Sequence, residues 1–201
     1  MSMAALSGGR VLFSKYCHEQ AFASLTAAIR YGLVRRQFGP EGKEHKLIDY
    51  PLHQTRLLTK LVSHIVQYVG AQRLSKLWDA NQPSLLDEKN KTNMLCHGLS
   101  TACKAFSTWD AQAAALEGRM ACGGNGFSKY ANFGNLWADG EVNVVGEGDN
   151  HILLMETGKF LFKNLGWMQK GKSMLDTCEF LAMKTYDKSK FEGEMDAKLL
   201  K

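Results

Sequence analysis

The chain has 201 residues, 45% of them apolar and 10% aromatic, which suits one domain with a core of ordinary size and excludes a disordered segment. Its net charge is +5, from 25 basic against 20 acidic residues, a balance that suits an anionic ligand such as a nucleotide phosphate; the mixing of signs along the chain argues against a dedicated nucleic-acid surface. Five cysteines without C-x-x-C spacing read as reduced thiols of an intracellular compartment, and no apolar run is long enough to span a bilayer.

The start, M-S-M-A-A-L-S-G-G-R, has no charged stretch followed by an apolar core, so it is no signal peptide and reads like the middle of a longer protein. A first helix is expected from about Gly9 to Gln37, with Phe22, Leu25, Ile29 and Leu33 at helical spacing, Ser7 as its cap and Gly39-Pro40 as its stop. E-G-K-E-H-K is a loop. Pro51 is favoured at a first helical position, and Leu58, Leu61, Val62, Ile65 and Val69 carry a second amphipathic helix to about Trp78. N-Q-P-S-L-L-D-E-K-N-K is a charged, Pro-containing connection. A third helix covers about Thr92 to Cys122, its stripe being Leu95, Leu99, Phe106, Trp109, Ala113 and Leu116, and Gly123-Gly124 stops it.

The passage from there to Gly146 has no clear period and is expected to be an extended loop, with at most a short helical turn near Leu136. Asp149 or Asn150 caps a fourth helix whose face includes Ile152, Leu153, Phe160 and Leu161, and which Gly166 closes. A short helix over about Lys172 to Thr185 and a charged tail from Tyr186 complete the chain. With no strand pattern or repeat, the fold class is all-α, an antiparallel up-and-down helix bundle over residues 1–170, followed by a terminal segment over 171–201.

The stretch from Arg119 to Glu156 holds two close glycine clusters, R-M-A-C-G-G-N-G-F and V-V-G-E-G-D-N, with Glu147 between Gly146 and Gly148. Glycines let backbone approach a flat or phosphorylated ligand, and a carboxylate held in such a loop before a helix is a candidate general base. Read locally, the same residues also fit a plain connector between helices, with Glu147 a helix-start carboxylate favoured by the macrodipole.

Three patches together resemble the C-terminal helical domain shared by acyl-CoA dehydrogenases and acyl-CoA oxidases: A-I-R-Y-G-L-V-R-R-Q-F-G-P at Ala28 to Pro40, C-G-G-N-G-F at Cys122 to Phe127, and G-E-G-D-N at Gly146 to Asn150. The resemblance covers about Leu6 to Leu165. H-G-L-S-T-A-C-K-A-F-S-T-W at His97 to Trp109 and R-M-A-C-G-G-N-G-F are most similar to the peroxisomal oxidase branch. Gly146 departs from the family's usual aromatic residue, and Pro51 from a frequent Gln.

The resemblance implies a flavoprotein oxidoreductase of fatty acid β-oxidation, with FAD as cofactor and a fatty acyl-CoA as substrate. It would act as a homodimer in the peroxisome and form 2-trans-enoyl-CoA while O2 becomes H2O2. It also implies an N-terminal helical domain and a β-domain ahead of residue 1. Glu147 would take the α-proton of the thioester. Arg35 and Gln37 would contact the flavin dinucleotide, in the family often that of the neighbouring subunit, Arg being suited to phosphate. Gly123, Gly124 and Gly126 would lie along the dinucleotide, and Asp149 and Asn150 would touch flavin. Each has a local alternative: a solvated helix end for Arg35 and Gln37, a helix stop for the glycines, capping for Asp149 and Asn150. A dehydrogenase with a protein electron acceptor and a non-catalytic dimerisation module remain open alternatives.

No metal site is expected: His45, His53, His64, His97 and His151 lack ligand spacing. The cysteines read as small packing residues. Ser75-Lys76-Leu77 spells a peroxisomal address but is internal.

Overall fold

The structure, a computed structural model, describes residues 3–84 and 91–169. Three long helices come first: α1 (Met3–Val34), α2 (Pro51–Asn81) and α3 (Lys91–Ala121). A short α4 (Gly124–Phe127) leads to α5 (Phe133–Val145) and then to α6 (Asn150–Gln169). Among the described residues there is no strand, only a single bridge between Arg36 and Lys46. The segments expected over Lys172 to Thr185 and from Tyr186 lie outside the described residues.

Side-chain contacts give the topology. His18 of α1 meets His64 of α2, Gly32 lies beside His53 and Gly8 beside Trp78, so α2 runs antiparallel to α1. Lys60 pairs with Asp110 and Arg56 with Glu117, turning the chain again into α3. Along α3 the contacts then descend: Gln112 meets Trp137 and Lys104 meets Val144 on α5, Asn150 meets Lys104 and Thr108, and Thr157 meets Thr101 on α6. The fourth rod of this up-down-up-down bundle is therefore α5 and α6 in succession, broken at Gly146 to Asp149. The compact unit extends to Gly158, and residues 159–169 continue α6.

The core gathers Cys17, Ala21, Leu25 and Ala28 of α1, Leu57 of α2, Ala111 and Ala114 of α3, and Phe133 of α5. Small residues let α1 and α3 approach closely. Ser24 Oγ donates to Ala115 O at 3.0 Å, and a Cβ at Gly118 would lie 3.0 Å from Ser24 O. The seam is also polar: Ser7, Ser14, His18, Ser24, Ser100, Thr101, Lys104 and Thr108 are buried. Hydroxyls at such positions satisfy themselves on the preceding turn, as Ser14 does on Arg10 O (2.8 Å) and Thr108 on Lys104 O (2.8 Å).

Several boundary and facing expectations change. Ser7 is not a cap; the helix already runs from Met3, because Ala4-Ala5-Leu6 favours helix. At its other end α1 stops at Val34, before Gly39-Pro40, because Arg35 O accepts Leu47 N (2.9 Å) and Gln37 N donates to His45 O (3.0 Å), folding residues 35–47 into a closed loop. On α2 the apolar stripe of Leu58, Val62, Ile65 and Val69 faces solvent, while Leu57, His64, Ala71 and Leu74 are buried and Leu61 packs at the core's edge. On α3, Phe106, Ala113 and Leu116 are exposed, and Ala105, Ala111 and Ala114 point inward.

The passage after Gly124 is mostly helical rather than an extended loop. Phe133 is buried and Gly140 stands where Gln20 of α1 packs, so tertiary contact supports a helix whose glycines and valines are weak helix formers. Gly166 does not close α6, which continues to Gln169.

Candidate functional site

The break between α5 and α6 is built from both sides. Gly146 leaves the helix in an extended conformation (φ −60°, ψ 145°), Glu147 follows at φ +56° and Gly148 at φ +118°. Positive φ is uncommon for a residue with a Cβ, so the Glu147 backbone needs support from its surroundings. Asp149 provides part of it by capping α6, Oδ1 accepting His151 N at 2.9 Å and Ile152 N at 3.4 Å.

Beneath the turn lies Lys104, fully buried on α3. Its Nζ donates to Val144 O (2.9 Å), Gly148 O (2.8 Å) and Asn150 Oδ1 (2.8 Å), so a cation closes the carbonyl end of α5. Burial lowers the Lys104 pKa to about 8 against the pull of Asp149. Asn150 is fully buried as well, and its amide nitrogen donates to Thr108 Oγ1 (2.9 Å) and Ala105 O (3.2 Å). Asn150 thus turns inward and holds the turn, while Asp149 stays exposed.

From α1, Arg10 Nε donates to Glu147 O at 2.9 Å. Arg10 Nη1 stands 3.3 Å from His97 Nδ1, and burial lowers the pKa of both groups, for His97 with the Arg10 charge adding to the effect. The Glu147 side chain is half-buried and lies over Gly9, while the Phe13 ring occupies space beside Gly146. Among the described residues no group donates a hydrogen bond to the Glu147 carboxylate. Its lone pairs are open, as a proton acceptor requires.

A second feature lies at the far end of α1. Tyr31, Arg35, Gln37, His53, Gly123, Gly124 and Asn125 help to line a cavity of about 520 Å³. Asn125 Nδ2 donates to Tyr31 Oη at 2.8 Å and pins α4 to α1. The Arg35 guanidinium has no hydrogen-bond or ion-pair partner among the described residues. Gly123 and Gly124 have open space where a Cβ would stand, so ligand could approach their backbone. An unpaired guanidinium that lines the same cavity as bare backbone fits a phosphate-bearing ligand. Gly126 is different: it is buried, and a Cβ there would come within 2.9 Å of the Arg119 carbonyl carbon, so it shapes the turn.

The structure therefore brings Arg35, Gln37, Gly123 and Gly124 to one cavity, and Glu147, Asp149 and Asn150 to one turn. From Gly9 to Tyr31 α1 rises about 33 Å, which separates the two groups. Sequence reasoning missed Gly9, Arg10 and Lys104, whose places emerge only from contacts between distant helices.

The sequence model described as acyl-CoA oxidase, C-alpha1 domain, matches residues 3–162. The chain belongs to the acyl-CoA oxidase family. It is 34% identical over 205 residues to acyl-coenzyme A oxidase 1 of Yarrowia lipolytica, covering 94% of this chain and 29% of that protein. Against the acyl-coenzyme A oxidase of Komagataella pastoris the identity is 36% over 186 residues, covering 85% of this chain and 26% of the relative. The crystal structure of the Yarrowia oxidase 1 matches with a TM-score of 0.85 at 33% identity, over 91% of this chain and 29% of that one. Acyl-CoA oxidase-1 of Caenorhabditis elegans, complexed with FAD and ATP, shares the fold at 21% identity and a TM-score of 0.78, over 83% of this chain and 26% of that one. The chain thus spans less than a third of the length of these oxidases. No helix among the described residues is long and apolar enough to cross a membrane.

Proposed function

We propose that this chain is the helical part of a flavin-dependent acyl-CoA oxidase of peroxisomal fatty acid β-oxidation, and that Glu147 is its base. The observation that carries the reading is the Glu147 carboxylate itself, half-buried at a held break in the bundle and free of hydrogen-bond donors among the described residues. The α-proton of a fatty acyl-CoA thioester is weakly acidic, so its acceptor needs open lone pairs and partial removal from water. Glu147 takes that proton onto a carboxylate oxygen. FAD, for which Arg35, Gln37, Gly123 and Gly124 would supply contacts, would provide the β-hydride acceptor and the two-electron route to O2, the products being H2O2 and a 2-trans-enoyl-CoA.

Arg35, Gln37, Gly123 and Gly124 hold phosphate and backbone-facing parts of a flavin dinucleotide, Gly126 shapes their turn, and Asp149 and Asn150 fix the turn that carries Glu147. The separation along α1 puts the Arg35 cavity beyond the reach of a dinucleotide whose ring lies at Glu147 of the same chain. This supports a homodimer in which each cavity serves the partner's flavin. The domains that complete the acyl-CoA site are those represented in the remaining length of the relatives.

Aerobic turnover of a fatty acyl-CoA tests the reading. Flavin-dependent release of H2O2 in step with enoyl-CoA is expected. Enoyl-CoA formed only with a protein electron acceptor, and no peroxide, would make it a dehydrogenase. No flavin absorbance with intact helical circular dichroism would favour a non-catalytic module.

A further inference from the structure

Two features outside the glycine-flanked motif determine where the Glu147 carboxylate stands. The first is the tie on its backbone. Val144 O, Glu147 O and Gly148 O each accept a bond from a buried cation, Lys104 for the outer two and Arg10 for the middle one. All three Lys104 donors are spent there, the third on Asn150, whose own amide is anchored to α3. The turn is thus fixed to α1 and α3 on both sides of the base.

The second is the floor beneath the side chain. A Cβ built at Gly9 would lie 2.5 Å from Glu147 Oε1 and 2.7 Å from Cγ, well inside van der Waals contact. The carboxylate rests on bare α1 backbone at that residue. Glycine is a poor choice for the interior of a 32-residue helix, and Gly9 has negative φ, so neither helix propensity nor backbone conformation calls for it. Contact with Glu147 does.

We infer that Gly9 is a positioning residue for the base, setting the place of the Glu147 carboxylate above a turn that Lys104 and Arg10 hold. The inference rests on the reading of Glu147 as the proton acceptor, and it deepens that reading. Any side chain at residue 9 pushes the carboxylate off its seat. Because the obstructing atoms belong to the end of a flexible side chain, the bundle absorbs the change while the base does not.

Gly9→Ala in the flavin-loaded full-length enzyme, with the completing domains present, tests this, with Gly158→Ala, where a Cβ meets open space, as the control for added helix propensity. The expected result for Gly9→Ala is an unchanged or higher Tm, a kcat lowered about 100-fold with KM retained, and a displaced Glu147 carboxyl 13C resonance, other glutamates staying in place. Glu147→Gln assigns that resonance by its loss. Gly158→Ala leaves kcat and the resonance unchanged. A Gly9→Ala protein with a normal kcat and an unmoved resonance overturns the inference. If Glu147→Gln retains turnover, the base reading fails, yet a displaced resonance in Gly9→Ala still upholds the seat. Should Gly9→Ala not fold, the unsubstituted chain decides: a nuclear Overhauser contact between the Gly9 α-protons and the Glu147 γ-protons is expected, and its absence overturns the inference.

Discussion

The seam between α1 and α3 and the outer face of α2 are opposites. Along the seam the buried residues are small or polar, among them Ser14, Ala21, Ser24, Ala28, Ala111 and Ala115, with Lys104 and Thr108 at the end nearest Glu147. On the outer face of α2, Leu58, Val62, Ile65, Val66 and Val69 stand in solvent. Apolar periodicity marks the second region and passes over the first. Close helix approach needs small side chains and satisfied hydroxyls, neither of which registers as hydrophobic. The residues that hold the candidate base belong to the seam, so what carries the site is the part of the chain with the least conspicuous pattern.

Truncation should separate the two regions most sharply. Leu57 is fully buried at the meeting of α1, α2 and α3, and Leu57→Ala should cost about 2–5 kcal/mol in urea unfolding. A cost near zero would mean that the seam closes without it.

Acid probes the same interior through its buried imidazoles. His18 and His64 are fully buried, their Nδ1 atoms 2.9 Å apart, and His64 Nε2 lies 3.5 Å from Asp110 Oδ2. Burial, with the neighbouring His64 adding to it, lowers the His18 pKa from 6.5 to about 4. His64 is lowered by burial against the pull of Asp110, which also accepts from Lys60, Ser63 and Gln67. Above pH 6.5 the rings are neutral in both folded and unfolded chains, and nothing is lost. As pH falls from 6.5 towards 4 the unfolded chain binds protons that the folded one refuses, and about 3 kcal/mol drains away through His18, levelling below 4. Urea midpoints across that range should follow this slope, and His18→Gln should flatten it.

The smallest effect belongs to the α2 face. Val62→Ser and Val69→Ser should each change the stability of this chain by less than about 0.5 kcal/mol. A larger loss would show that this face is packed in solution.

The same contrast decides which features are legible in the sequence. Pro51 and the pair Gly123-Gly124 mark the start of α2 and the end of α3, because proline and glycine act through their own backbones. The sequence offers Asp149 or Asn150 as the cap on α6, and Asp149 takes that task while Asn150 faces inward. Local propensity does not mark helix α5, because Gly134, Gly140 and three valines are weak helix formers, and its support comes from Gln20, whose amide donates to Leu136 O at 2.9 Å. Glu147 stood out by its flanking glycines and by family resemblance. The groups that seat it did not: Arg10 reaches Glu147 O across 137 positions of sequence, a distance no local pattern encodes.

The central claim is that Glu147 removes a proton from substrate, and Glu147→Gln tests it most directly because the amide keeps the shape and loses the basicity. In the flavin-loaded protein, anaerobic mixing with a saturating fatty acyl-CoA should leave flavin binding unchanged and slow bleaching of the flavin about 10²–10⁴-fold. Bleaching at the unsubstituted rate would contradict the account and leave Glu147 as no more than a residue of the turn.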